Sequence, residues 1–314
     1  MLLIHLLLFF MIKKHTYKKL TWIDLFKPTK EEVLGLMEEY DINPSIANDL
    51  LSPSFRQTVD AHENFIYLIL HFPALKHTHS NEPNQEIDFL IGKDFIITSR
   101  YDDIDSIHKF SKVFDVNSVL EKEDMERDGG YIFLLLMKKL YASIDYEIEY
   151  IQDALEKAED SIFKGEEKRM VQELSKIGRD LLNLKQATNN HQSGLESLQV
   201  AGLSFLGDEF SKNINKIINE YHKIRHNIAI NVESLNELRY TNNSLLSTKQ
   251  NETMTILTIM AFVTFPLSLL ASIFGMNTQH MPIIGSDYDF WKVLGIMLLL
   301  TTTFSLFFKY KKWL

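Results

Sequence analysis

The stretch Thr253-Met-Thr-Ile-Leu-Thr-Ile-Met-Ala-Phe-Val-Thr-Phe-Pro-Leu-Ser-Leu-Leu-Ala-Ser-Ile-Phe274, closed by Gly275-Met276-Asn277, decides how this chain is read. It runs for about 22 residues without a charge, enough for a helix to cross ~30 Å of hydrocarbon. A second apolar run of about 19 residues, Phe290 to Phe308, carries only Lys292 near its start. Two buried helices of a soluble core are the alternative reading. A Gly-x-Asn break just past a span offers backbone carbonyls and a neutral amide at one lip of the bilayer. Such groups suit a metal ion that keeps its water shell.

Charge orients the spans. Lys249 precedes the first and Lys309, Lys311 and Lys312 follow the second, whereas the connecting loop holds Asp287 and Asp289. The positive-inside rule places both termini in the cytoplasm and the loop outside, in a cell or plasma membrane. The lysine tail is read as an anchor to anionic lipid, or as a ring around the stalk.

The 314 residues contain no cysteine, which excludes disulfides, thiolate metal sites and thiol nucleophiles. A formal charge of −9 argues against nucleic acid as a partner. The opening Met1 to Phe10 is apolar, but no basic residue precedes it and Lys13 and Lys14 follow it. It fits a signal peptide poorly and is too short to span. A start at Met11, or an interfacial tail, is expected.

Upstream, Thr29-Lys-Glu-Glu32 reads as a capping box and Asn43-Pro44 as an N-cap followed by a first helical residue. Phe65–Phe72 reads as a strand, and Ile87–Ile91, Gly92-Lys93 and Asp94–Ser99 as a hairpin. From Gly129-Gly130 on, the pattern is helical. Glycines 165, 194, 202 and 207 are taken as its dividers, giving a pair over 131–164 and 166–193. From Asp208 to Phe274 only Pro266 interrupts, so one helix of about 100 Å is expected. Its stripe of Ile214, Ile217, Ile218, Tyr221, Ile224, Ile228, Leu235 and Leu238 calls for a bundle between copies of the chain.

The expected organisation is a tail at 1–19, a cytoplasmic α/β domain at 20–128, a helical hairpin at 129–207 and a stalk helix at 208–252. Spans at 253–274 and 290–308 follow, joined by an outer loop at 275–289, with a basic tail at 309–314. The fold class is α+β, membrane-bound.

Within the first span, Asn251, Met254, Thr258, Ala261, Phe265, Ser268 and Ser272 share one face and hold most of its small or polar side chains. Ile256, Ile259, Met260, Phe262, Val263, Leu267, Leu270 and Ile273 occupy the other. The small-residue stripe suits a tight helix contact or a pore wall. Pro266 removes one backbone hydrogen bond in mid-membrane, a kink that neighbours can compensate.

Phe274-Gly-Met-Asn277 after such a span, His280-Met-Pro282 in the loop, a second span and the ending Phe308-Lys-Tyr-Lys-Lys-Trp313 resemble the CorA-type magnesium transporters. Trp22-Ile-Asp-Leu25, Pro28-Thr29, Glu31-Glu-Val33, Phe89-Leu-Ile-Gly-Lys-Asp94 and Asn251-Glu-Thr-Met254 extend the resemblance from about residue 20 onward. It implies a homopentameric, channel-like importer with a funnel-shaped cytoplasmic domain. It assigns Gly275, Met276 and Asn277 to a selectivity ring, and Asn251, Met254, Leu257, Ala261, Phe265 and Ser268 to the pore wall. Met254 and Leu257 fall near a hydrophobic gate. The face analysis differs in selecting Thr258 rather than Leu257.

The chain is therefore read as no enzyme, with no cofactor, and with Mg²⁺ as transported and regulatory ion; Co²⁺ and Ni²⁺ are further candidate cargo. Lipid, divalent ions and other copies of itself are its partners. No phosphate-cradling glycine loop is present, and none is needed. A divalent cation entering a negative-inside cell gains roughly 4.6 kcal/mol per 100 mV, twice the single-charge value. Asp287 and Asp289 either attract cations in the outer loop or solvate the interface. Glu209, Glu220 and Glu233 are candidate sensor carboxylates, Glu220 first among them, against a solvated acidic face. The acidic stretch Asp145 to Glu167 is read as solvated, and His222 and His226 as a surface pair rather than a transition-metal site. His77 and His79 lie in a polar loop. A zinc-transporting relative, which Met276 disfavours, and a non-conducting scaffold, which Asn251 and Asn277 disfavour, are the alternatives.

Overall fold

The computed structural model of the chain describes residues 12–17, 19–54, 56, 58–74, 84–102, 104–115, 128–276, 283, 285 and 288–311. The apolar opening to Met11, His77, His79, Asn277, Asp287 and Lys312 lie outside them, as does the His280-Met-Pro282 stretch.

A six-stranded sheet organises the first part. Its strands are β1 (Ile12–Tyr17), β2 (Leu20–Phe26), β3 (Val59–Ala61), β4 (Phe65–Pro73), β5 (Asn84–Gly92) and β6 (Phe95–Arg100). They lie in the order β1-β2-β6-β5-β4-β3, with β2 and β6 parallel and every other pair antiparallel. The β5–β6 hairpin and the β4 strand stand where the sequence pattern puts them. Most of β4 is buried on both sides, which is why it reads as a continuous apolar run rather than an alternating one.

The sheet begins inside the stretch expected to be a tail. β1 pairs antiparallel with β2, Ile12 opposite Leu25 through Tyr17 opposite Leu20. An edge strand needs cover on one side only, so it tolerates Lys13 and Lys14 and shows little apolar patterning. Lys14 Nζ meets Glu39 Oε1 at 2.9 Å.

One face of the sheet is covered by helices α1 (Lys30–Tyr40) and α2 (Pro44–Asp49). Ile23, Leu25, Tyr67, Ile69, Leu90 and Ile97 of the sheet pack there with Val33, Leu36, Ile46 and Leu50. Both helices start as their caps dictate. The Thr29 N–H donates to Glu32 Oε2 at 2.8 Å while Glu32 N–H donates to Thr29 Oγ1 at 3.3 Å. Asn43 Oδ1 accepts from Ser45 N–H ahead of Pro44. On the other face, α3 (Asp105–Asp115) sets Phe110 and Phe114 against Trp22, and α4 (Gly129–Phe163) sets Phe133 edge-on to Phe89.

This second face buries an ion pair. Arg100 Nη2 and Nε donate to Asp24 at 3.0 and 3.2 Å, with both side chains at most 5% exposed. Thr98 Oγ1 donates to Asp24 Oδ1 at 2.9 Å and accepts from Trp22 Nε1 at 3.0 Å. Two strand residues, Arg100 and Thr98, thus satisfy one buried carboxylate.

The helical part continues with α5 (Glu167–Thr188), α6 (His191–Phe205), α7 (Asp208–Phe274) and α8 (Asp289–Tyr310). Gly165 and Gly207 are true breaks, at φ +94° and +90°. Gly194 and Gly202, expected to be breaks as well, lie inside α6 and serve close packing. A Cβ on Gly202 would stand 2.4 Å from the Phe210 ring, and one on Gly194 3.3 Å from Leu70. The break falls instead between Thr188 and His191, so the expected two-helix hairpin is three helices.

α7 is one unbroken helix of 67 residues with Pro266 inside, as expected. The chain divides into two compact units: one of residues 1–164 and 169–238, the other of residues 165–168 and 239–314. In the first unit the α7 stripe is already covered. Ile214, Ile217, Ile218, Tyr221, Ile224, Ile228 and Leu235 are all buried, with the Tyr221 ring 6.5 Å from Tyr141 of α4. The chain's own helices do what was assigned to other copies, because α4 lies alongside and Lys223 and Asn227 both reach Asp145. That stripe therefore gives no reason for oligomers.

Replacing Asp24 with Ala removes the anion of a buried ion pair. A loss of about 3–5 kcal/mol is expected, read as a lower melting temperature of the full-length protein in detergent.

Candidate functional site

The second unit holds the two long apolar helix segments, and both are exposed: 6% of the apolar window of α7 is buried and 0% of that of α8. Helices of a soluble core would be buried, so that alternative fails for this chain. Without water in hydrocarbon, polar groups have to be satisfied within the helix. Thr258 Oγ1 donates to the Met254 carbonyl at 2.7 Å and Thr255 to that of Asn251 at 2.9 Å. On α8, Thr301, Thr302 and Thr303 each donate to the carbonyl four residues back at 2.8 Å.

The cover that α7 does have falls on one side. Ile259 is buried, and Thr255, Val263, Pro266, Leu267, Leu270 and Phe274 are partly covered at helical spacing. The Phe262 ring meets that of Phe308, the buried residue of α8, at 6.4 Å. A matching stripe on α8 is partly covered: Val293, Met297, Leu300, Thr301 and Phe304. The opposite side of α7 is bare. Met254 is 66% exposed, Leu257 61% and Phe265 73%, and Asn251, Thr258, Ser268 and Ser272 are exposed with them. Ala261 alone of the stripe is half-covered. Leu257 and Thr258 both belong to the bare side, and the Thr258 hydroxyl hydrogen is committed to the backbone.

At the end of α7, Gly275 N–H donates to the Ala271 carbonyl at 2.9 Å and Met276 N–H to that of Ile273 at 3.2 Å. The shortened second reach marks the helix end, with Met276 58% exposed. Ile283 and Gly285 have positive φ, and the Asp289 carboxylate accepts from the N–H groups of Gly285 and Phe290. Asp289 therefore tethers the start of α8 whatever else it does. Lys309 and Lys311 are exposed at the other end.

The candidate sensor residues come out differently. Glu220 is exposed beside Lys138 and Lys216, in a hollow of about 420 Å³ also lined by Tyr131 and Ile217. Among the described residues no group of three or more His, Asp or Glu is placed to hold a metal ion. Glu209, Glu220, Glu233, His222 and His226 belong to no such group.

A polar cluster that sequence reasoning passed over sits at the end of the α1/α2 face. His71 Nε2 lies 2.9 Å from the Ser54 carbonyl and 3.0 Å from Glu86 Oε2, and the Ser54 N–H donates to Glu86. Asp88, fully buried, accepts from Tyr101 Oη at 3.2 Å. The hydrogen bond to Glu86 raises the His71 pKa above its ordinary value, outweighing burial, while burial and then Glu86 push the Asp88 carboxyl well up. On the other face His191, wholly buried against Tyr141, is held neutral by burial at a pKa of about 4. The clue in the sequence was a histidine and two acids within apolar strands.

Comparison with known proteins follows this geometry. The sequence profile of the CorA-like Mg2+ transporter protein family matches residues 17–311. The chain belongs to this family. Its CorA-like sequence is 24% identical over 302 residues to the cobalt/magnesium transport protein CorA of Thermotoga maritima, covering 94% of this chain and 83% of the relative. It is 21% identical to the protein of that name from Methanocaldococcus jannaschii, covering 94% and 92%. The complete structure of the M. jannaschii CorA magnesium transporter superposes with a TM-score of 0.81 at 20% identity, over 95% of this chain and 93% of that one. The full-length CmaX protein gives 0.72 at 15% identity, over 94% and 89%. CorA-like proteins are ion transporters, not enzymes, and the fold of this chain is theirs: an α/β domain, a long helix and two apolar helices.

The raised His71 pKa sets a pH dependence. Protonated His71 stabilises the fold fully below its unfolded value of about 6.5, and that stability is lost as pH rises through its higher folded value. The melting temperature of the full-length protein is expected to fall from about pH 6.5 upward, with His71→Gln removing that part of the slope.

Proposed function

We propose that this CorA-like protein is a channel-like Mg²⁺ importer, a homopentamer in the cell membrane, driven by the membrane potential and gated by cytoplasmic divalent cation. Co²⁺ and Ni²⁺ are further cargo, in keeping with the cobalt/magnesium names of its relatives. The observation that carries this reading is the bare stripe on α7. It lies opposite the side covered within the chain, and it leads from Asn251 toward Gly275 and Met276, which Asn277 follows in the sequence.

A row of exposed small and polar side chains on a lipid-length helix calls for other copies of itself. Five copies around an axis place Asn251, Met254, Leu257, Thr258, Ala261, Phe265 and Ser268 along a narrow passage. Rings of Asn277 amide and Gly275 and Met276 carbonyl oxygens hold the first-shell waters of Mg²⁺ rather than stripping them. Neutral donors hold the ion weakly enough to release it. Met254 and Leu257 close the passage by excluding water. Lysines 309, 311 and 312 lie against anionic lipid on the cytoplasmic side, with both termini there. Asp287 and Asp289 draw cations to the outer mouth. Sensor carboxylates such as Glu220 then act between neighbouring chains. Five sites, each filled at about 100 times its dissociation constant and contributing about 2.7 kcal/mol, hold a gate shut.

In vesicles reconstituted with the full-length protein, Mg²⁺ entry is expected to rise with an inside-negative potential. Asn277→Ala should cut it about tenfold or more, corresponding to about 1.4 kcal/mol. Absence of entry with the wild type, or unchanged entry with the variant, overturns the reading.

A further inference from the structure

The turn between α4 and α5 grips α7 just before its apolar segment. Gly165 reverses the chain at φ +94°, and Glu167 opens α5 two residues later. Lys249 Nζ donates to Glu167 Oε2 at 2.6 Å and to the Gly165 carbonyl at 3.4 Å. About two turns earlier on the same face, Asn242 Nδ2 donates to the Glu167 carbonyl at 3.1 Å. Asn242 is 1% exposed, and the Glu167 side chain is 5% exposed. A Cβ at position 165 would stand 3.4 Å from Lys249 Nζ, an ordinary contact, so the glycine serves the turn.

Lys249 precedes Asn251 by two residues within one rigid helix. Whatever holds Lys249 therefore fixes the inner end of the candidate passage. We infer that the Glu167–Lys249 ion pair is a clasp that positions the inner end of the α7 span, so that its release opens the narrowing at Asn251 and Met254.

The chemistry suits a contact that holds and lets go. A charge-assisted hydrogen bond of this length is strong for its kind, and the hydrogen bond from Lys249 lowers the Glu167 pKa, keeping the carboxylate ionised. Against this, the Lys249 side chain is 51% exposed, so salt and water compete for it. Asn242 Oδ1 is buried without a hydrogen-bond partner, a cost of keeping the junction closed. Neither Glu167 nor Lys249 touches the ion; both are positioning residues. The inference rests on the transport reading for its effect on flux, and on geometry alone for the clasp.

The test uses full-length protein in vesicles, with Mg²⁺ entry measured at fixed internal Mg²⁺. Glu167→Gln and Lys249→Met are each expected to raise entry several-fold, and the double variant no further than either alone. The charge-exchanged pair, Glu167→Lys with Lys249→Glu, returns entry toward the wild-type rate. Because the chain has no cysteine, Lys168→Cys and Thr248→Cys, both exposed, carry the only spin labels. Their distance distribution is expected to be narrow in the wild-type background and broad with Glu167→Gln. A distribution unaffected by Glu167→Gln, or singles that conduct like a conducting wild type, overturns the clasp. A wild type that passes no Mg²⁺ overturns the transport reading, while the distances still decide the clasp.

Discussion

A single helix has to satisfy two solvents, and the rest of the molecule is arranged around that requirement. α7 buries its Ile214-to-Leu235 stripe against protein and then continues as a segment whose side chains are almost wholly exposed. Backbone polarity causes no difficulty in the second half, since an α-helix bonds its own N–H and C=O groups and its threonines bond back to the same carbonyls. What is left unsatisfied is a surface, only one side of which is partly covered.

That asymmetry links fold to function. The covered side of α7 carries the branched side chains of Ile259, Val263, Leu267 and Leu270, and Phe262 of α7 meets Phe308 of α8. The bare side carries Asn251, Thr258, Ser268 and Ser272, whose small or polar groups have little to offer lipid. Lys249 and Asn242 of α7 meet the turn at Gly165 and Glu167.

Much of this was legible beforehand, for reasons particular to each residue. The Thr29–Glu32 box, the Asn43-Pro44 start and the hairpin turning at Gly92-Lys93 are short-range chemistry, complete within a few residues. The division of the first span into two faces needed only helical periodicity; the structure exposes all of the polar stripe but Ala261, and of the apolar face it covers Ile259, Val263, Leu267 and Leu270 while Ile256, Met260, Phe262 and Ile273 stay exposed. The edge strand β1 was hidden because its pattern is weak, and the α6 glycines misled because a glycine that makes room for Phe210 looks like one that breaks a helix. The α7 stripe was assigned to other copies because nothing in its own sequence says that α4 lies beside it.

By itself the sequence determined the two lipid-length apolar helices, the unbroken run from Asp208, the strand pattern and the place of Gly275-Met276-Asn277 at the end of a span. These depend on composition and on neighbours a few residues away. Only the tertiary structure decided which stripe is covered within the chain and which polar groups meet. Arg100 finds Asp24 across 76 residues, and Lys249 finds Glu167 across 82. Contacts of that span depend on how whole elements pack, and no local preference encodes them.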